Sequence, residues 1–167
     1  VLESVWPTLP AAFRDELTLQ CVKHLRGSPD ESEAFARIVA DAMKARVQSV
    51  KSQWRMLDIF GTRRAIALDP RRAAPFLAIT YMTARAPELT ALYAALGVEH
   101  KDLNVADSSA VENPPTQAQF AAALAKGVDG VSNDSLRCMI AIIADTGIDA
   151  WQAPAREALS QSQPAKA

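Results

Sequence analysis

The sequence has little of what small proteins use in place of a packed core. Its two cysteines, Cys21 and Cys138, form no C-x-x-C pair. That excludes a dense disulfide framework and fits a reducing compartment, with one bridge still open. Glycine is scarce, and neither a Walker A loop nor a GxGxxG pattern occurs, so no familiar phosphate cradle is present. A Gly-x-Ser-x-Gly elbow is also missing. The longest uncharged apolar-rich run, AAPFLAITYM at 73–82, is too short to cross a bilayer, so no membrane span is expected. No segment alternates strictly over six or more residues, as an amphipathic strand would. No secretory signal is visible, and the first residue is Val rather than Met. A trimmed start fits, as does a mature protein freed of its targeting peptide; import into an organelle, the mitochondrion, is then the simplest localisation, with the cytoplasm as the other.

What is present points to helix. Alanine is abundant, β-branched runs are few, and 49% of residues are apolar. A chain of this length buries roughly 68–70% of its unfolded surface, enough for one self-supporting domain, taken as 1–160 with a polar tail at 161–167. The fold class expected is all-α, built of antiparallel helical hairpins in a short irregular repeat-like array.

Pro10 opens a helix that Gly27 ends. The Ser28-Pro29-Asp30-Glu31 sequence is a capping box for a second helix, whose apolar spacing continues through Trp54 and Phe60 to Gly61. A break near 48–53 is allowed there. Thr62 caps a short helix, Asp69 caps the next with Pro70 at its first position, and Pro87 opens another that Gly97 ends. Residues 98–115 read as a loop. Thr116, then Asn133 or Ser132, then Asp149 cap the last three helices, two of them stopped by Gly127 and Gly147.

The net charge of −1 lacks the basic surplus of a dedicated nucleic-acid binder, so nucleic acid is an unlikely partner, though not an excluded one. That balance hides an asymmetry. Residues 44–72 hold eight basic and two acidic side chains, between acidic segments on either side. Lys44, Arg46, Lys51, Arg55, Arg63, Arg64, Arg71 and Arg72 form the band. It reads either as a docking face for an acidic partner or as a solvated face that balances the acidic ends in cis. Trp6 and Trp151, near the chain ends, are added as candidate partner contacts, whereas the spacing of Trp54 favours the core.

Candidate chemistry is sparse. Cys21 and His24 form C-x-x-H, at most half a metal site, so no metal is expected. Cys138 lies among Leu136, Met139, Ile140 and Ile143 and reads as a small buried hydrophobe rather than a nucleophile. Asp15/Glu16, Asp30/Glu31 and Asp145/Asp149 are paired carboxylates, of which Asp30 and Asp149 are explained by helix starts. No catalytic, cofactor-binding or metal-binding set is therefore expected.

Two stretches carry a resemblance. AIALDPRRAAPFLAITYM at 65–82 resembles a tetratricopeptide-repeat junction, with Ala65, Pro70 and Phe76 at its small, breaker and large positions; Pro87 and Leu92 then depart from the pattern. Residues 114–151 resemble the organellar pentatricopeptide and octotricopeptide class through Pro115, Ser132, Leu136, Ala144 and Gly147. These belong to the tandem helical-hairpin superfamily, which includes the small helical-hairpin accessory subunit on the F1 head of euglenozoan mitochondrial ATP synthase. The resemblance implies a non-catalytic, structural interaction subunit whose partners are other proteins of a large complex. The alternative is an organellar RNA-binding repeat protein that uses the basic band at 44–72.

Overall fold

Helix-breaking residues divide the chain into ten α-helices among the described residues. A computed structural model describes residues 1–103, 105 and 109–162, the side chains of 51–60 and 109 excepted. The helices are α1 (Leu2–Val5), α2 (Ala11–Gly27), α3 (Pro29–Met43), α4 (Val47–Leu68), α5 (Pro70–Thr83), α6 (Ala86–Ala95), α7 (Ser109–Glu112), α8 (Gln117–Lys126), α9 (Asn133–Thr146) and α10 (Asp149–Ser162). A single 3₁₀ turn, Trp6–Thr8, follows α1. The described residues contain no strand, only a bridge between Val128 and Val131. The fold is all-α, as expected.

Local caps set several starts. The Asp69 carboxylate accepts from the Arg72 amide at 3.0 Å, beside Pro70 in the first turn of α5. Thr116 and Gln119 form a reciprocal capping box on α8. Ser132, rather than Asn133, caps α9 by accepting from the Ser135 amide. At Ser28 the expected box does not form, because the Glu31 carboxylate turns instead to His24 Nε2, 2.6 Å away across the α2–α3 turn. Gly27 stays helical, and Ser28 takes the cap position.

Other boundaries differ from the sequence reading. The break in the long apolar pattern falls at 44–46, not 48–53. Lys44 adopts a left-handed conformation (φ 54°) and the Ala45 amide donates back to the Ala40 carbonyl, a Schellman-type stop. Gly61 and Thr62 do not end a helix: both are buried, and α4 runs through them to Leu68. Packing overrides the roughly 1 kcal/mol helix penalty of glycine. Within 98–115, α7 forms and buries Ala110. At the other end α10 reaches Ser162, past the expected start of the tail, and Gln161 accepts from Gln117 there. Residues 163–167 lie outside the described residues.

One apolar cluster runs from Leu2 to Leu159. The pairs α3–α4 and α9–α10 pack as sequential hairpins, but much of the packing is between elements far apart in sequence. Helix α5 lies against α1, α2, α3, α4, α6 and α9, and α9 also meets α1, α8 and α10. An open repeat array contacts only its neighbours; here α1 closes onto α9 from the opposite end of the chain. Asp145 fixes that closure, accepting from the Leu2 amide at 2.8 Å and from the Val1 amino group at 3.0 Å.

The α9–α10 hairpin turns on Gly147, where an added Cβ would sit 2.6 Å from the Ile143 carbonyl oxygen. Gly147→Ala is expected to destabilise the fold by about 1–3 kcal/mol through overpacking. Gly27→Ala, with open space around the new methyl, is expected to be neutral or mildly stabilising. Urea midpoints of the two variants check the contrast.

Candidate functional site

Two polar features stand out: a basic surface and a buried cluster. The basic surface begins where α3 ends. Lys44 and Arg46 are exposed just beyond that end, and Arg64 and Arg71 are exposed near the α4–α5 turn. Arg63 and Arg72 are tied down in cis. Arg63 Nη2 meets Asp15 at 2.9 Å, and Arg72 Nη1 donates to Asp41 at 2.8 Å. The Asp41–Arg72 contact brings the C-terminal end of α3, with Lys44 beside it, against the first turn of α5, which carries Arg71. Lys44, Arg46, Arg64 and Arg71 meet no acidic side chain among the described residues. The band is therefore split between charges neutralised within the chain and charges left to solvent. The side chains of Lys51 and Arg55, and that of Trp54, lie outside the described residues.

The two tryptophan candidates do not belong to this surface. Trp6 and Trp151 are each 2% exposed and lie in the core. The Trp6 side chain is buried as α1 packs on α9. Trp151 Nε1 donates to the Ala110 carbonyl at 3.0 Å, and its ring meets Tyr93 edge-on. Neither ring can reach a partner without unpacking the fold.

The buried cluster centres on Arg85, at the turn between α5 and α6. Pro87 cannot continue a helix from α5, so the chain turns at 84–85 and aims the guanidinium inward. Arg85 is 8% exposed. Its Nε donates to Gln20 Oε1 at 2.6 Å, its Nη1 to Glu88 Oε1 at 2.9 Å and its Nη2 to Glu16 Oε1 at 2.7 Å. The Phe13 ring lies under the guanidinium, 5.2 Å from its carbon. The second Glu88 oxygen accepts from the fully buried Ser135 hydroxyl. Ser135 Oγ lies 3.0 Å from the Tyr81 hydroxyl, which is also within hydrogen-bonding reach of the Cys138 thiol. With the Ser135 proton committed to Glu88, the Tyr81 hydroxyl donates to Ser135. The chain of contacts thus joins α2, α5, α6 and α9.

The cluster was not among the sequence candidates. Arg85 and Glu88 are three residues apart at a helix start, which is a local signal. Glu16, Gln20 and Ser135 come from distant helices, and nothing in their spacing announces Arg85. The neighbouring carboxylates Asp15 and Glu16 are not a pair at all: one goes to Arg63 and the other to Arg85.

Chemically, the buried end of the cluster is closed. Ser135 has no exposed surface and both its oxygen contacts are internal, so a substrate carbonyl has no approach to it. Burial pushes the Cys138 thiol up to about 12 and the Cys21 thiol up to about 11. Neither supplies a thiolate near neutral pH. The C-x-x-H pair is parted as well, since Cys21 faces the core while Glu31 holds His24. Among the described residues no group of three or more His, Cys, Asp or Glu gathers where a metal ion could be held. None of the described helices is long and apolar enough to cross a membrane. Comparison with known protein families, curated proteins and solved structures finds no match to this chain.

Two outcomes test these environments. Arg85→Leu leaves the part-buried Glu88 carboxylate without its cation, while Glu16 stays open to solvent, and is expected to cost about 2–3 kcal/mol. Arg85→Lys, which keeps the charge but loses the three-way planar fork, is expected to recover less than half of that. Chemical denaturation of both variants measures the difference. The thiols give a pH dependence. From an ordinary value of 9.0 their pKa values rise on folding, so the unfolded chain releases protons that the folded chain keeps. Stability is then fully present below pH 9 and falls as pH rises towards 11–12, with Tyr81 and Tyr93, also raised by burial, adding to the fall above 10. A Cys21→Ala/Cys138→Ala protein is expected to show a shallower decline of its urea midpoint between about pH 9 and 10 than the parent; equal slopes would refute the assignment.

Proposed function

We propose that this chain is a non-catalytic interaction subunit of a larger assembly, docked through its basic face onto an acidic protein surface. The observation that carries this reading is the split within the band. Arg63 and Arg72 are matched by Asp15 and Asp41, whereas Lys44, Arg46, Arg64 and Arg71 are exposed and unmatched. A band serving only to balance the acidic ends in cis would be matched throughout. Rim charges of this kind steer association and set partner choice more than they add affinity. The closed Arg85 cluster adds support, since Tyr81, Ser135 and Glu88 are spent on one another. The hairpin resemblance of residues 114–151 supports a mitochondrial assembly, with ATP synthase as the specific case. An organellar RNA-binding role would use the same arginines and is the second outcome of the test.

The variant Lys44→Glu/Arg46→Glu/Arg64→Glu/Arg71→Glu touches no internal ion pair and is expected to keep the parental circular dichroism and melting behaviour. In gently prepared native extracts the parent is expected to co-fractionate with a high-mass complex, and crosslinking with mass spectrometry should place Arg64 and Arg71 against acidic peptides of one protein. The variant should lose this association by about 10-fold or more, in a salt-dependent manner. A parent that runs as a free monomer sinks the proposal. Salt-titrated binding of RNA by the parent, lost in the variant, would transfer the surface to the RNA reading.

A further inference from the structure

A second feature, independent of the basic face, lies between α5, α6 and α9. Tyr81, Met82, Leu89, Tyr93, Met139 and Ile142 line an open pocket there, with a cavity volume of ≈ 110 Å³. No Asp, Glu, Lys or Arg lines it. Its polar atoms are largely committed within the chain. The Tyr81 hydroxyl is held by Ser135, the Thr146 hydroxyl donates to the Ile142 carbonyl, and the Gly147 amide donates to the Ile143 carbonyl. The Gly147 carbonyl accepts from Gln152. Of the lining hydroxyls, that of Tyr93 alone has no partner among the described residues. A water molecule needs two to four polar partners to be held, so such a pocket is a poor water site.

We propose that this pocket binds a small, uncharged aromatic molecule carrying at most one hydrogen-bonding group. The volume sets the size: at ≈ 110 Å³ the cavity is smaller than the roughly 150 Å³ that encloses benzene, so a single ring seats only partly enclosed, through the open mouth, and a fused polycycle does not fit. The lining sets the chemistry. Two phenol rings and two thioethers favour an aromatic guest, and the missing charges exclude a carboxylate or an amine. The surroundings set the source. Protein partners bury about 800 Å² a side around such an anchor point. Among the described residues the exposed large apolar side chains are Leu19, Leu68, Met82 and Val111, and of these only Met82 borders the pocket. A free small molecule needs no such apron.

The test is a titration of the full chain with toluene, and separately with benzoate, followed through methionine methyl resonances. Met82 and Met139 should shift saturably with toluene, at a dissociation constant of about 1 mM or tighter, while Met43 stays still. Benzoate, the same ring with a charge, should produce no saturable shift. Ala78→Leu fills the pocket from its half-buried wall, and Met82→Trp covers its mouth. Each should weaken toluene binding by about 10-fold or more without changing the circular dichroism spectrum. The proposal is overturned if toluene gives no saturable shift. It is also overturned if Met43 moves with the others, if benzoate binds equally, or if both folded variants bind like the parent.

Discussion

The charge on Arg85 is the constraint on which the rest of the interior depends. Apolar packing drives the collapse of these helices, but it is non-directional and tolerates small rotations and slips. A guanidinium in a low-dielectric site tolerates neither, since each N–H left without an acceptor carries a desolvation penalty. Three of its nitrogens point along a fixed plane to Gln20, Glu88 and Glu16. Glu88 in turn orients Ser135, and Ser135 orients Tyr81. One charge thereby fixes the azimuth of α2, α6 and α9 about α5. A buried ion pair is weak evidence for stability, and register is its best-attested role. The geometry here has that form, because the partners come from two different helices, Gln20 and Glu16 from α2 and Glu88 from α6.

The interior and the surface then differ in kind. Inside, Arg85, Glu88, Ser135 and Tyr81 spend hydrogen bonds on one another. The buried thiols are held protonated, and the buried serine has no open side. On the surface, Lys44, Arg46, Arg64 and Arg71 of the basic band meet no acidic side chain among the described residues, while their sequence neighbours Arg63 and Arg72 are matched. A site that works by chemistry needs unsatisfied groups in a sheltered place. A site that works by contact needs them at the rim. The unmatched charges of the basic band lie outside.

What could be read from the sequence follows the range of each interaction. Asp69, Thr116 and Ser132 cap their helices through contacts to the third residue on, so the local sequence contains both partners. The all-α class was legible for the same reason, being a sum of local propensities and breakers. Glu31 shows where local sequence stops deciding the contact. Its capping-box position is correct, yet His24 folds back across the turn and takes the carboxylate. Trp6 was placed near the surface because it lies near a chain end. Position along the chain says nothing about α1 returning to α9, which depends on Asp145 at the other end. Asp15 and Glu16 are the sharpest case. They are neighbours in sequence, and a helix points adjacent residues about 100° apart, so one reaches α4 and the other the α5–α6 turn. Periodicity identifies a face, not what the face will meet.

Helix α9 shows how far these roles can be separated. Ser135 and Cys138 turn towards the Arg85 cluster, Met139 and Ile142 wall the apolar pocket, and Asp145 holds α1. Nine of its residues are buried, so a change on α9 disturbs all three contacts together. The basic face stands apart from that helix. Its exposed residues lie near the ends of α3, α4 and α5, and their neighbours Arg63 and Arg72 pair with surface carboxylates rather than with the interior. Effects of distant, unshared contacts add, whereas those within one network do not. Charge changes on the face should therefore combine additively with changes in the core. Loss of association without loss of stability is the outcome that the proposed docking role requires.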